Sequence, residues 1–411
     1  MVDVAQIECK IEDTPVPKVR KVAVAYSGGL DSTLGIALLR RKYKAREIVP
    51  ITVDVGQGED EVQMAFRHAE VLGIEPILVD AKQEFAEKWL TMAIKANSDY
   101  EGYPVATSMT RQLIAKKVAE KAVELGCDAI LEGSSGKGND QYRMQNVFTL
   151  FAPDLEVLVP VRDFDLTRTE EQALCKAWGV PVAETITGGD DKTMWCRSIA
   201  SGAIDLNQEL PDDIWLWLVP PEKAKDEPTF VEVTFERGVP VALDGRRMSL
   251  WELISMLNEI GGENGVGRID MFEDGIMELK SREIYEAPAA HIILKLHRDL
   301  EQFCLTKEEI FFKKPIDQQW AYMMYHGEAL HPLRYALEAF IDRTQEVVNG
   351  TYKVKLYKGN IEIVSRRSDT GLFAPEIRSI KAGGFDQRMC RDAAHIRALS
   401  FKVLAMKGRV R

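Results

Sequence analysis

The segment Ser27-Gly28-Gly29-Leu30-Asp31-Ser32 is the first stretch of the chain whose residue types and spacing could do chemistry. Two glycines let a backbone approach phosphate oxygens closely, and the two serine hydroxyls add donors. A helix starting there would also point unpaired N–H groups at an anion. Asp31 is out of place in a pure anion cradle because its charge repels phosphate, so its presence implies a Mg²⁺ bridge. A second segment, Glu132-Gly133-Ser134-Ser135-Gly136-Lys137-Gly138-Asn139-Asp140-Gln141-Tyr142-Arg143, mixes glycines with a lysine, acids, amides and an arginine. That mixture makes a polar cup suited to a charged, zwitterionic substrate beside a nucleotide. The Walker pattern G-x-x-x-x-G-K-[ST] and the dinucleotide pattern G-x-G-x-x-G are absent, which disfavours ordinary kinases, GTPases and Rossmann dehydrogenases.

Both segments need elements that aim them at one place. The apolar run 22–25 precedes the first segment, and Leu34, Ile36, Ala37, Leu38 and Leu39 follow it, a strand–turn–helix pattern. A β-branched run from Ile48 to Val53 predicts a second strand, followed by a helix carrying Val62, Ala65, Phe66, Ala69 and Leu72 on one face and stopped by Gly73. Pro76 to Asp80 is a third strand, a helix is predicted from about Met109 to Leu125, and Cys127 to Leu131 is the strand that feeds the second segment. Strands alternating with helices predict a parallel sheet covered on both faces, with the two segments at the same sheet edge. Beyond about residue 170 the rhythm changes. A Gly/Asp loop at 188–191, a Pro- and charge-rich stretch at 219–228 and strand-like runs at 229–236 and 239–243 predict a second, mixed α+β domain. The expected organisation is a nucleotide-binding domain over 1–170, a second, mixed α+β domain over 171–363, and a helical arm over 364–411.

Composition bounds the function. The 411 residues carry 64 acidic against 53 basic side chains, a net charge of -11, which argues against a general nucleic-acid coat or a basic membrane binder. Six scattered cysteines form no C-x-x-C pair and no zinc pattern, as expected of a reducing compartment. The opening residues lack the apolar core of a signal peptide and no apolar run reaches the roughly 20 residues of a membrane span, so the expected location is the cytoplasm. The last 36 residues hold nine Lys or Arg against three Asp or Glu. This reads as an arm docking on an acidic sister subunit in preference to an RNA-binding tail.

The pattern S-G-G-x-D-S after a first strand resembles the PP-loop of the ATP pyrophosphatase group, enzymes that cleave ATP between the α and β phosphates and adenylate a substrate oxygen. Gly133 to Arg143 further resembles the G-A-T-G-K-G-N-D-Q-V-R segment of the argininosuccinate synthase family. The likeness continues through Asp54-Val55-Gly56-Gln57-Gly58, Thr107-Ser108 with Arg111 and Leu113-Ile114-Ala115-Lys116-Lys117, and Gly265 to Asp270. It then runs on through Lys280-Ser281-Arg282 with Tyr285-Glu286, Pro332-Leu333-Arg334 and Leu356 to Asn360, and so covers nearly the whole chain.

The resemblance implies an AMP-forming C–N ligase of arginine biosynthesis. The ureido oxygen of citrulline attacks the α-phosphate of ATP, pyrophosphate leaves, and the aspartate amine displaces AMP. It implies ATP contacts at Ala25, Tyr26, Ser27, Gly28, Gly29, Leu30, Asp31, Ser32, Thr33 and Gly133, with Asp31 also near Mg²⁺ and Lys137 a counter-charge for phosphate. Implied citrulline contacts are Tyr103, Ser108, Asn139, Arg143, Ser198, Glu273 and Tyr285; implied aspartate contacts are Thr107, Ser135, Asn139 and Asp140. Arg143 suits a carboxylate and Glu273 an ammonium. No dedicated general base stands out; Asp140, phosphate and water are all candidate acceptors for the amine's proton. A homotetramer is also implied. The chain departs from the family at Ser135 for threonine, Gly189 for a citrulline-contacting serine, Gln112 for proline, Thr110 for alanine, Gln145 for glutamate, and Glu278 and Glu283 for glycine. The competing readings are a relative that adenylates another ureido or carboxyl acceptor, and an RNA-modifying PP-loop enzyme.

Overall fold

The computed structural model describes residues 3–182, 190–199, 207, 209–381 and 383–409. Gly188 and Gly189 lie outside the described residues. Two compact units result, Met1–Thr370 and Gly371–Arg411.

The larger unit is built around five parallel strands: β1 (Lys21–Ala25), β2 (Glu47–Asp54), β3 (Ile77–Asp80), β4 (Ala129–Leu131) and β5 (Glu156–Leu158). Their order in the sheet is β3-β2-β1-β4-β5. The period-two alternation of β1 decides which core each side chain enters. Val22 and Val24 pack on one face with Leu34, Ile36 and Leu131, while Ala23 packs on the other with Ile51 and Ile130. Helices therefore cover both faces, as a parallel sheet requires. The predicted strand at 127–131 begins two residues later than expected. The Cys127 N–H is taken by the carbonyl of Ala122, closing the end of the helix Thr107–Glu124 behind Gly126, whose φ is +65°.

Strand order reverses between β1 and β4, and in open α/β sheets the crevice beyond the strand ends at such a point is where ligands bind. Both chemistry-bearing segments leave the sheet there, one after β1 and the other after β4.

The rest of this unit is antiparallel. β6 (Asp190–Lys192) pairs with β7 (Arg197–Ile199), which corrects the expectation that 188–191 is all loop: Asp190 and Asp191 already belong to a ladder, Asp191 opposite Ser198. The strands β8 (Thr229–Glu236), β9 (Val239–Leu243) and β10 (Arg246–Arg247) start a second sheet. β11 (Arg268–Asp274) and β12 (Lys280–Glu286) complete the sheet β11-β12-β7-β6, and β13 (Gly350–Tyr357) and β14 (Asn360–Arg367) complete β10-β9-β8-β13-β14. Between them the helices Leu250–Glu263, Pro288–Cys304 and Lys307–Tyr325 fill a core with Leu253, Ile293, Leu296 and Trp320. The second compact unit contains the helix Cys390–Met406, on which Ile396, Phe401 and Met406 are exposed. No helix among the described residues is long and apolar enough to cross a membrane.

Candidate active site

The turn after β1 is held open by its own hydrogen bonds. The Ser27 hydroxyl takes the Gly29 N–H at 3.3 Å and lies 3.2 Å from the Ser32 hydroxyl, which also reaches the Gly29 carbonyl. Gly28 sits at φ +74°, and a Cβ there would meet Ala65 Cα at 2.4 Å; both facts demand glycine. The helix Leu30–Leu38 starts at Gly29 with no side-chain cap, so its first N–H groups face the crevice unsatisfied. Gly133 packs against this start, where a Cβ would lie 3.0 Å from Asp31 Cβ and 3.2 Å from Ser32 N. The two loops thus close on each other at the sheet edge.

A cleft of about 920 Å³ opens there. Its wall includes Ala25, Tyr26, Ser27, Gly29, Leu30, Asp31, Ser32, Gly133 and Asp140 among the sequence-predicted residues. Gly28 and Thr33 stand behind the wall, the first shaping the turn and the second buried within the helix. Asp31 pairs with Arg168, from the first turn of the helix Arg168–Trp178. Glu171, one turn further on, is buried behind this pair; burial, then the charge of Asp31, raise its pKa well above the usual carboxylate range. A positive charge beside this turn is thereby supplied by Arg168, a residue sequence reasoning did not single out.

Lys137 is exposed on the second loop and is not part of the cleft wall. Gln141 fixes that loop by donating from Nε2 to the carbonyls of Gly136 at 2.8 Å and Gly138 at 3.2 Å. Ser135 lies in the same turn, its carbonyl accepting the Gly138 N–H.

The remaining predicted residues form a second cluster, drawn from distant parts of the chain. Tyr103 stacks on Tyr285 with ring centroids 4.3 Å apart, and the Tyr285 hydroxyl donates to Glu273 Oε2 at 3.0 Å. Glu273 Oε1 accepts from Tyr325 at 2.5 Å, and that same hydroxyl accepts from Asn139 Nδ2 at 3.0 Å. Burial raises the Glu273 pKa, and the two phenol donors partly offset it. Arg143 lies over the Tyr325 ring and donates to the Tyr325 carbonyl at 2.8 Å and to Asp140 Oδ1 at 2.7 Å. Asp140 Oδ2 accepts from Arg111 Nε at 2.8 Å, and Arg111 also pairs with Asp191. Burial works to raise the Asp140 pKa, but the two guanidiniums outweigh it and lower it. Ser198 on β7 stands between Asp191 and Tyr285 in ladder register. The Thr107 and Ser108 hydroxyls are buried without a hydrogen-bond partner among the described residues, a cost that a bound polar ligand would remove. Tyr325 and Arg111 were not predicted as site residues. Arg111 was visible within a recurring motif, whereas Tyr325 sits in the apolar stretch Trp320 to Tyr325, which reads as core.

A family model described as the argininosuccinate synthase N-terminal HUP domain matches residues 21–181, and one described as the argininosuccinate synthase C-terminal domain matches 189–404. Among curated proteins, the argininosuccinate synthase of Methanopyrus kandleri is 43% identical over 95% of this chain and 99% of its own. Those of Methanosarcina acetivorans, at 45% identity over 90% of this chain and 94% of theirs, and of Archaeoglobus fulgidus, at 44% over 92% and 97%, are similarly close. With a PP-loop at the switch point of its sheet, a tyrosine- and arginine-bound carboxylate cluster beside it, and two family domains matched across most of its length, this chain belongs to the argininosuccinate synthase family.

Proposed function

We propose that the chain is an ATP-dependent C–N ligase that joins citrulline to aspartate, forming argininosuccinate, AMP and pyrophosphate. The observation that carries this reading is the position of Asp140. It stands in the cleft wall with the PP-loop and, through Arg143, in the network of Tyr325, Glu273 and Tyr285. A nucleotide held by one set is therefore beside an amino acid held by the other, the arrangement that adenylating one substrate and capturing it with a second requires.

The residues divide by charge. The helix start at Gly29, the Ser27 and Ser32 hydroxyls and Arg168 face the phosphates, while Lys137 stands on an exposed loop outside the cleft wall. Glu273 offers its charge to an α-ammonium, and the Thr107 and Ser108 hydroxyls await polar partners. Asp140, kept ionised by Arg111 and Arg143, holds the aspartate ammonium while Ser135 and Asn139 meet its carboxylates. Mg²⁺ fits this donor set: one carboxylate, Asp31, lies at the phosphate cradle, and Mg²⁺ is commonly held by one or two carboxylates together with substrate phosphates. When bound it would neutralise the charge of the departing pyrophosphate. The exposed apolar residues of the helix Cys390–Met406 support a homotetramer in which this arm meets a sister subunit, and we infer a cytoplasmic enzyme.

The test is pyrophosphate and AMP release from ATP and Mg²⁺, with citrulline and aspartate omitted in turn and the product weighed by mass spectrometry. Product that requires both amino acids supports the reading. ATP turnover with another ureido or carboxyl acceptor, and none with citrulline, overturns it.

A further inference from the structure

Among the described residues, six carboxyl side chains line the cleft: Asp31, Glu61, Glu132, Asp140, Asp191 and Asp213. Four have cationic partners. Asp31 meets Arg168, Glu61 meets Lys192 at 2.8 Å, Asp191 meets Arg111, and Asp140 gives one oxygen to Arg111 and the other to Arg143. Asp213 is exposed at the rim. Glu132 is different. It follows the last residue of β4, is 2% exposed, and has no lysine, arginine or histidine within ion-pair distance among the described residues. Its Oε2 accepts the N–H of Ser134 at 2.7 Å, which turns the carboxyl toward the loop that carries Ser135, Asn139 and Asp140. The charged groups facing it are Asp140 at the start of the helix Asp140–Phe151, Arg162 from the short helix Pro160–Asp163, and Arg111 from the helix Thr107–Glu124. Burial pushes its pKa up to about 7; Asp140 adds to the rise, and the Ser134 hydrogen bonds and Arg162 oppose it.

We propose that Glu132 is the catalytic base that takes the proton from the attacking amine of the second amino acid. The inference rests on the ligase reading above. Asp140 cannot do this well, because both its oxygens are occupied by guanidiniums and its affinity for a proton is lowered. It holds the ammonium, while Glu132, buried on the same cleft wall and without a cation at ion-pair distance, accepts the proton. Two carboxyls whose surroundings drive their proton affinities apart are a recognised way to divide binding from acid–base work. In the step, one ammonium proton passes to the ionised Glu132 carboxylate and the freed nitrogen lone pair attacks the adenylated ureido carbon. The new C–N bond forms, the C–O bond to AMP breaks with its electron pair going to the phosphate oxygen, and the second nitrogen proton moves to that phosphate as the guanidinium forms. Charge and protons balance with no further reactant.

The experiment separates the half-reactions. The first is read as pyrophosphate released from ATP, Mg²⁺ and citrulline without aspartate; the second is read by adding aspartate to the preloaded enzyme and quenching. In the unaltered protein the second rate should fall about tenfold per pH unit below about pH 7, while the first stays flat across that range. In Glu132→Gln the second rate should drop at least about 100-fold and lose its acid limb, with the first half-reaction within about threefold of normal. A second rate independent of pH through 7 in the unaltered protein, or an acid limb that persists in the variant, overturns the proposal. If the variant loses both half-reactions, the profile of the unaltered protein alone decides. Absence of citrulline-dependent pyrophosphate release from the unaltered protein refutes the ligase reading instead.

Discussion

The PP-loop side of the cleft, proposed to hold the nucleotide, is made of main chain, whereas the side proposed to hold the amino acids is made of side chains. Around the PP-loop, one contiguous turn supplies helix-terminal N–H groups and two hydroxyls, and glycines at 28 and 133 let the backbones meet. Across the cleft, Tyr103, Asp140, Arg143, Glu273, Tyr285 and Tyr325 come from five separate elements and hold one another by hydrogen bonds and ring contacts. Phosphate is the same in every nucleotide, so a rigid backbone cradle suffices for it. Telling one amino acid from another needs polar groups that are costly to leave unpaired.

If that contrast is right, the two sides should fail in different ways. The largest effect is expected at Gly28→Ala. The new Cβ would overlap Ala65 Cα, a backbone atom that cannot step aside, at a positive φ that alanine resists. Stability should fall by at least about 3 kcal/mol in denaturant titration, and ATP binding by calorimetry should fall more than about 100-fold. Arg143→Met tests the other side. It strips Asp140 and the Tyr325 carbonyl of a buried partner, and removing one member of a buried ion pair costs about 3–5 kcal/mol. Here KM for both amino acids should rise by two orders of magnitude or so while ATP affinity changes less than about threefold. Equal losses on both sides would erase the distinction.

Tyr325→Phe sharpens it. The hydroxyl bridges Glu273 and Asn139, and losing such a buried bond costs about 1–3 kcal/mol, so KM for citrulline should rise about tenfold or more with ATP binding unchanged. A sign follows as well. The Tyr325 donor lowers the Glu273 pKa against the rise caused by burial, so its removal sends that pKa higher. Glu273 then loses its charge at a higher pH, and the acid limb of kcat/KM for citrulline should move upward.

The same contrast explains what could be read from the residues alone. The PP-loop, the alternation of strand and helix, and even the bounds of β8 and β9 follow from local patterns. Tyr325 does not, because its role arises only when the end of the helix Lys307–Tyr325 is brought against the helix Asp140–Phe151. Arg168 and Glu132 were likewise invisible as a pairing and a lack of pairing, since both depend on what the folded chain puts beside them. Gln112, which replaces the family's proline, shows how a departure can be absorbed. Its buried amide donates to the carbonyls of Ser108 and Met324 and accepts the Ala329 N–H, tying the helix beneath the site to the segment that carries Tyr325.

The smallest effect is expected at Glu278, another departure, where the family has glycine. Glu278 sits at φ +59° in the turn between β11 and β12, a conformation glycine adopts freely and glutamate resists by about 1 kcal/mol. Glu278→Gly removes that strain in the folded state but gives the unfolded chain more freedom, which offsets part of the gain. The midpoint in urea should therefore rise by no more than the equivalent of about 1 kcal/mol, with both half-reactions unchanged. The turn follows Glu273 by a few residues and is closed by backbone hydrogen bonds across Gly275, while its Ile276 N–H donates to Asn139 Oδ1 at 2.8 Å; the Glu278 side chain itself has no hydrogen bond or ion pair to the carboxylate network among the described residues. A shift in KM for citrulline would mean that the hairpin, as well as the side chains on it, sets the geometry of the amino-acid side. The contrast between a main-chain wall and a side-chain wall would then have to be redrawn.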